Sequence, residues 1–261
     1  MIPQRASPSG MAAPVLLLLA SACLAGLGAS PAAAMTQNAL ADLLTGAARD
    51  DRTVPAPMVA RFVSDEGESF VLDRSSPVPL LRFEDSPEVL VLRPSQAARG
   101  DVIYRDEFGQ PVLRQTRLGG VTLFAHGRPG GAPVAVEGQA QTLRLQAMSA
   151  AALVQRLGIA SVRASHAARR LIVFDADEVT PGSEAVFADA AAVAAEAVVR
   201  LSERKDGRSL VSRLERILFL PGRQSDVRWE RRVVNITVVP SAGVAGRPSS
   251  ARIIQAAWRR P

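Results

Sequence analysis

Cysteine occurs once in the 261 residues, as Cys23, and histidine twice, as His126 and His166. One cysteine permits no internal disulfide. No Cys/His ligand pair and no H-E-x-x-H stands anywhere in the chain, so no soft-metal site is expected. G-x-S-x-G is missing as well, which removes the serine nucleophile elbow. A histidine-dependent triad would have to use His126, in the loop-like Phe-Ala-His-Gly-Arg-Pro-Gly-Gly, or His166, in a helical stretch beside Arg163, Arg169 and Arg170. A solvated loop position is the commoner state of a residue placed like His126. Aromatic residues make up 4% of the chain, with Trp229 amid the arginines, too few to build a stacking platform for single-stranded nucleic acid. Nucleic acid is therefore not an expected partner. No catalytic residue, cofactor or metal site is assigned.

What is present begins with an export signal. Arg5 is the sole charge among residues 1–34, an apolar run extends from Ala12 to about Leu27, and Gly28-Ala-Ser-Pro-Ala-Ala-Ala34 follows. That order is a secretory signal peptide with cleavage near Ala34. Ala20-Ser21-Ala22-Cys23 loosely matches a lipobox, so a lipoprotein anchored through Cys23 is the alternative, although a leucine is expected where Ala20 stands. The apolar run is short for a membrane span, and no later segment is both long enough and free of charge. The mature chain is expected to be periplasmic or secreted, without a transmembrane segment.

Thirty of the 31 basic residues are Arg, Lys205 being the exception. A GC-rich coding sequence would favour Arg, Ala, Gly and Pro together, so distribution says more than the total. Residues 35–199 carry 16 basic and 20 acidic side chains, net −4, whereas residues 200–261 carry 14 and 5, net +9. The C-terminal quarter is the basic end, fitted to an anionic ligand or to solvated helical faces.

Periodicity divides the chain. Residues 35–57 read as a short helix (37–48) and a linker. Residues 58–138 break into short apolar runs, MVARFV, SFVLD, VPLLRF, EVLVLRP, DVIYR, PVLRQT, GVTLFA and PVAVEG, with turn residues between them, the pattern of an antiparallel sandwich or barrel. VLVL (89–92) is apolar on both faces, as a central strand is. Residues 139–261 read as helix-rich. One helix runs from Ser149 toward Arg170 with Leu153, Val154, Leu157 and Val162 inward. Leu171-Ile-Val-Phe174 is a strand. A second helix starts at Thr180-Pro181 and buries Phe187, Ala190, Ala194, Val198 and Leu201, with Gly207 breaking it. A third spans Leu210–Leu218, a late strand Arg232–Val239, and a last helix Ser250–Arg259. The fold class is α+β, and the sequence leaves open whether the two subdomains pack as one domain.

The acids Glu84, Asp85 and Glu88 fall between two apolar runs, where Asp85-Ser86-Pro87 favours a turn and makes the cluster a hairpin rim rather than a catalytic site. Asp106-Glu107 has the same character. Asp175, Asp177 and Glu178 could hold a hard cation or simply form a polar loop. The fullest constellation is Gly243-Val-Ala-Gly246-Arg247-Pro248-Ser249-Ser250-Ala-Arg252, between the late strand and the last helix. Free backbone N–H groups at such a junction, two hydroxyls and two guanidinium groups would make an anion pocket of Gly246, Arg247, Ser249, Ser250 and Arg252. The plainer reading is a helix N-cap from Ser249 or Ser250.

RFVSDEGESFVLDRSSPVPLLRFEDSPEVLVLRP (61–94), GDVIYRDEFGQPVLRQTRLGGVTLFAHGRPGG (100–131), TPGSEAVFADAAAVAAEA (180–197) and GVAGRPSSARI (243–253) together resemble an uncharacterised family of exported alphaproteobacterial proteins, a domain of unknown function. The resemblance implies an envelope location and a signal peptide, and it transfers no activity and no catalytic residue. The expected function is a non-enzymatic envelope module that binds an envelope protein or an anionic ligand through the basic C-terminal quarter. A carboxylate-based, cation-assisted hydrolase is the alternative, and a purely structural protein a third. Mass spectrometry of the exported protein should find Met35 as its first residue; a diacylglyceryl Cys23 would establish the lipoprotein route instead.

Overall fold

Short apolar runs punctuated every few residues by turns become strands that pair in sequence, and nine of them do so here. The computed structural model describes residues 57–124 and 130–259. The expected signal peptide with Cys23, the helix expected over 37–48 and His126 lie outside the described residues. The strands are β1 (Val59–Ser64), β2 (Ser69–Asp73), β3 (Leu80–Phe83), β4 (Leu90–Val91), β5 (Arg93–Gln96), β6 (Val102–Arg105), β7 (Pro111–Gln115), β8 (Val121–Leu123) and β9 (Ala132–Gln139). All pair antiparallel, in the order β4-β3-β2-β1-β9-β8-β7-β6-β5. Alternation sorts each strand into two faces: Ala60, Phe62 and Ser64 of β1 are buried while Val59, Arg61 and Val63 are not. Phe62 lies opposite Phe70, and Phe70 opposite Phe83, with ring centroids 5.3 and 5.9 Å apart.

The sheet curls until its two edges meet in one run of chain. Leu90 and Val91 pair with β3, Leu92 is fully buried, and Arg93–Gln96 pair with β6. The segment that looked like a central strand is thus the seam of a nearly closed barrel, an arrangement that leaves little strand edge unpaired. Its outward residue Val89 packs with Val71, Leu80, Leu143 and Val244, so the barrel exterior also carries a small core, shared with the C-terminal half.

That half contains α1 (Ala150–Ala168), β10 (Val173–Ala176), α2 (Glu184–Glu203), α3 (Lys205–Val211), β11 (Arg216–Pro221), β12 (Asp226–Glu230), β13 (Val233–Val238) and α4 (Ser250–Trp258). The sheet order is β10-β11-β13-β12, with β10, β11 and β13 parallel and β12 antiparallel to β13. Helix α2 is the hub. Its stripe of Phe187, Ala190, Ala194, Val198 and Leu201 is buried, as expected, and it packs against α1, α3 and α4. The architecture is α+β, and no helix among the described residues is long and apolar enough to cross a membrane.

Four local expectations need correction. The residues assigned to one helix over Leu210–Leu218 divide between the end of α3 and strand β11, where Ile217 and Phe219 are buried. Its run Ile217-Leu-Phe-Leu220 is apolar without interruption, so it lacks the alternation of a strand and imitates a helical stripe. The break after α2 falls at Arg204, whose backbone is extended, and Gly207 lies buried inside α3, where a Cβ would stand 2.1 Å from the Leu201 carbonyl oxygen. Val154 and Val162 are 69% and 71% exposed, while Leu153, Ala160 and Ala164 face inward, because alanines admit the closest approach to alanine-rich α2. Finally, α2 begins at Glu184 after Ser183, one turn later than Thr180-Pro181 suggested.

One buried carboxylate ties the barrel to the chain that leaves it. Asp73, at the end of β2, accepts hydrogen bonds from the Thr142 hydroxyl (2.6 Å), the Leu143 amide (2.8 Å) and the Ser75 amide and hydroxyl (2.9 and 2.6 Å). Burial acts to raise its pKa, but the hydrogen bonds from Ser75, Thr142 and Leu143 together outweigh burial and lower it from 3.8 to about 2. The folded chain holds that proton less readily than the unfolded one. The stabilisation is therefore complete above about pH 4 and is lost as pH falls through about 2. Asp73→Asn should cost about 2 kcal/mol at neutral pH. Urea unfolding at a series of pH values should show the variant and wild type converging near pH 2; a gap that persists there would refute this origin.

Candidate functional site

The chain leaves β13 at Val238 and must turn sharply to enter α4. Pro240–Gly246 does this as a short 3-10 segment in which Gly243 has φ 56°. Gly246 then passes so close to the end of β13 that a Cβ would lie 1.9 Å from the Val239 carbonyl oxygen, and its own carbonyl accepts the Val239 amide at 2.7 Å. The close approach foreseen for Gly246 is thus made by the chain's own backbone.

Beyond it, Arg247 is directed into the interior, its side chain 1% exposed. Its Nε donates to Asp189 Oδ2 of α2 (2.5 Å) and one terminal nitrogen to the Val89 carbonyl (2.8 Å), and its guanidinium lies 3.9 Å from Glu88 Oε1. Ser249 is the N-cap of α4, accepting the Arg252 amide at 3.0 Å, and its hydroxyl donates to Glu107 Oε1. Ser250 donates its amide to Glu88 Oε1 (2.9 Å) and its hydroxyl to Glu88 Oε2. Arg200 of α2 donates to the Ser250 hydroxyl (2.8 Å) and stands 3.6 Å from Glu88 Oε2.

Of the five residues expected to form an anion pocket, Arg247 and Ser250 build an internal cradle for a carboxylate of the chain itself, while Ser249 bonds Glu107 and Arg252 bonds the Ser225 carbonyl. The Glu88 carboxylate, 2% exposed, sits at the α4 N-terminus with a backbone amide, a hydroxyl and two guanidinium groups around it. Partial positive charge at a helix N-terminus favours an anion there. Ser249 caps the helix, and Ser250 with Arg247 holds a carboxylate supplied by the chain itself.

Outside this cradle lies a cleft of about 190 Å³ between the barrel and the C-terminal half. Leu90, Val91, Phe108 and Val112 form an apolar wall, and Arg93, Glu107, Ser249 and Arg252 supply polar groups. Arg252 donates to the Ser225 carbonyl at 2.7 Å and keeps its other donors. The Arg93 side chain has no hydrogen bond or ion pair among the described residues. Burial raises the Glu107 pKa above the usual carboxylate range; Arg252 pulls it down, Glu88 and Asp106 push it up, and Arg247 pulls it down. Asp106 is committed to its turn, accepting the Phe108 and Gln110 amides at 2.9 and 2.8 Å.

Four of the five residues singled out in the sequence, Arg247, Ser249, Ser250 and Arg252, line the cleft, and Gly246 supports it from behind. Glu88, Glu107 and Arg93 were missed as site residues. Nothing local marks them, because Glu88 meets Ser250 across 162 positions and Glu107 meets Ser249 across 142. The other acids disperse. Glu84 pairs with Arg61 at 2.8 Å and Asp175 with Arg216 at 3.1 Å. Among the described residues no group of three His, Cys, Asp or Glu is placed to hold a metal ion, Asp175, Asp177 and Glu178 included.

A family model described as a domain of unknown function (DUF4908) matches residues 39–257. No curated protein and no solved structure matches the chain.

Removing one partner from a buried ionic cluster leaves the others uncompensated, which costs about 3–5 kcal/mol. Glu88→Ala should lose stability on that scale in urea unfolding. A loss below about 1 kcal/mol would mean that the cradle contributes little to docking the two halves.

Proposed function

The chain belongs to the DUF4908 family, and from that premise we propose that it is a non-enzymatic module of the cell envelope that binds an anionic ligand, free or carried by a partner protein. One observation carries the reading: with the cradle filled by Glu88, the adjoining cleft still presents two guanidinium groups, Arg93 and Arg252, that have no carboxylate partner within hydrogen-bond distance among the described residues. Arginine is the side chain best suited to forked recognition of carboxylate and phosphate. The C-terminal wall of the cleft, Ala245–Arg252, belongs to the basic quarter of the chain. The proposed location, periplasmic or outside the cell, is supported by the signal-peptide pattern of residues 1–34.

Titration with inorganic phosphate and with short carboxylates, followed by calorimetry, tests this. Wild type should bind at least one of these anions, and an Arg93→Ala, Arg252→Ala variant should bind it at least tenfold more weakly, since each charge-assisted contact contributes about 1.5–3 kcal/mol. Equal binding by both proteins would dismiss the site.

A second reading, a carboxylate-based hydrolase, is favoured by the presence of Glu88, Asp106 and Glu107 in one cleft and by the raised pKa of Glu107, which suits a general acid. Against it, Glu88 is enclosed in its cradle and Asp106 is held through Oδ1 by its own turn, so neither is free to move onto a substrate beside Glu107. Hydrolysis of ester or glycoside substrates that disappeared in Glu107→Gln, in a protein that still folds, would bring this reading forward.

A further inference from the structure

Resting on the anion-binding reading, we propose that the ligand of the cleft is a small amphipathic monocarboxylate, held by Arg93 and Arg252 with its apolar body against Leu90, Val91, Phe108 and Val112, and that Glu107 takes up a proton as it binds. Three observations lead there.

The wall comes first. Two faces of the cleft differ in kind: the seam of the barrel and the β6–β7 turn offer aliphatic and aromatic carbon, while the α4 side offers donors. A bare inorganic ion would leave the carbon wall facing water, whereas a ligand with a hydrocarbon body covers it at a gain of about 25 cal/mol per Å². Size is the second. About 190 Å³ is below the range of about 300–1,000 Å³ of pockets that enclose drug-sized molecules. A chain of a few carbons fits that space.

Charge is the third. Arg200 and Arg247 are matched inside the fold by Glu88, Glu196 and Asp189, and Glu196 also takes Arg163. That leaves Arg93 and Arg252 against Asp106 and Glu107, a set with no net charge. A bound monoanion would make it −1, and one proton on Glu107 restores neutrality. A dianion would leave the set negative even with that proton, so the cleft selects against it. Every titratable or charged group lining the cleft enters this account: Glu88, Arg93, Asp106, Glu107, Arg200, Arg247 and Arg252, with the Ser249 hydroxyl on Glu107. Burial already raises the Glu107 pKa before any ligand arrives, in the direction this proton uptake needs. A protonated Glu107 donates its O–H to one oxygen of the ligand carboxylate, while the guanidinium groups bind both.

Calorimetric titration of the mature protein with hexanoate, phosphate and hexylammonium between pH 6 and 9 tests the proposal. In buffers of different ionisation heat, hexanoate should bind with uptake of up to one proton, and its affinity should fall as pH rises, at most about tenfold per pH unit. Arg252→Ala, checked for its native melting transition, should weaken hexanoate more than tenfold. Glu107→Gln, which donates without charge, should bind hexanoate more tightly than wild type at pH 9 and should show no pH slope. Binding of phosphate in preference to hexanoate, a preference for hexylammonium, or a pH slope that survives in Glu107→Gln would each overturn the monocarboxylate proposal. The first of these leaves the anion-binding reading standing, whereas failure of every anion to bind would end both.

Discussion

A carboxylate taken out of water must be matched on all sides, and Glu88 is matched from every element that meets at the junction. Its oxygens receive the amide and hydroxyl of Ser250 at the start of α4 and face Arg200 of α2 and Arg247 of the preceding turn. Those arginines are held in turn. Arg247 is fixed by Asp189 and by the Val89 carbonyl, and Arg200 by Glu196, which also binds Arg163 of α1. The barrel, α1, α2 and α4 are thereby joined through one chain of charges. Apolar contact alone, as between Val89, Leu143 and Val244, would tolerate a sliding interface. Buried ions do not, because each displaced partner leaves a charge without compensation. One docking geometry is selected, and the cleft takes its shape from it.

The β-rich half was legible because its signals are local. Each apolar run between Met58 and Gly138 contains a strand, since alternation and turn residues act over a few positions. An uninterrupted apolar run removes that cue: Ile217–Leu220 of β11 read as helix, and VLVL (89–92) at the seam read as a central strand. Strand β12, Asp-Val-Arg-Trp-Glu, does alternate, but its signal rests on two apolar residues, Val227 and Trp229, and was passed over. Helix α1 shows the opposite failure. Its valines suggested an inward stripe, but the contact with α2 is so close that alanines occupy it.

At the site the division between local and distant is sharper. Gly246, Arg247, Ser249, Ser250 and Arg252 were visible because a strand, a glycine-bearing turn and a helix N-cap follow one another within a few residues. What fills the cradle was invisible. Glu88 looked like one of three acids on a hairpin rim, and only the fold separates it from Glu84, which stays at the surface with Arg61. The seam residues Val89–Arg93 serve both barrel closure and the cleft wall, so the same stretch that closes the sheet also faces the ligand site.

Strand β1 opens the barrel, β9 closes its sequence, and the two lie side by side as neighbours in the sheet. The chain therefore enters and leaves the barrel at one place, while the gap in the barrel wall is stitched by its middle. A piece of structure whose ends coincide is topologically a cassette: it can be threaded into a host chain without rerouting anything else. Read this way, the helical half needs only a single attachment point, near Gln139, and the Glu88 cradle is the second point of fastening that keeps the cassette from swinging on its hinge.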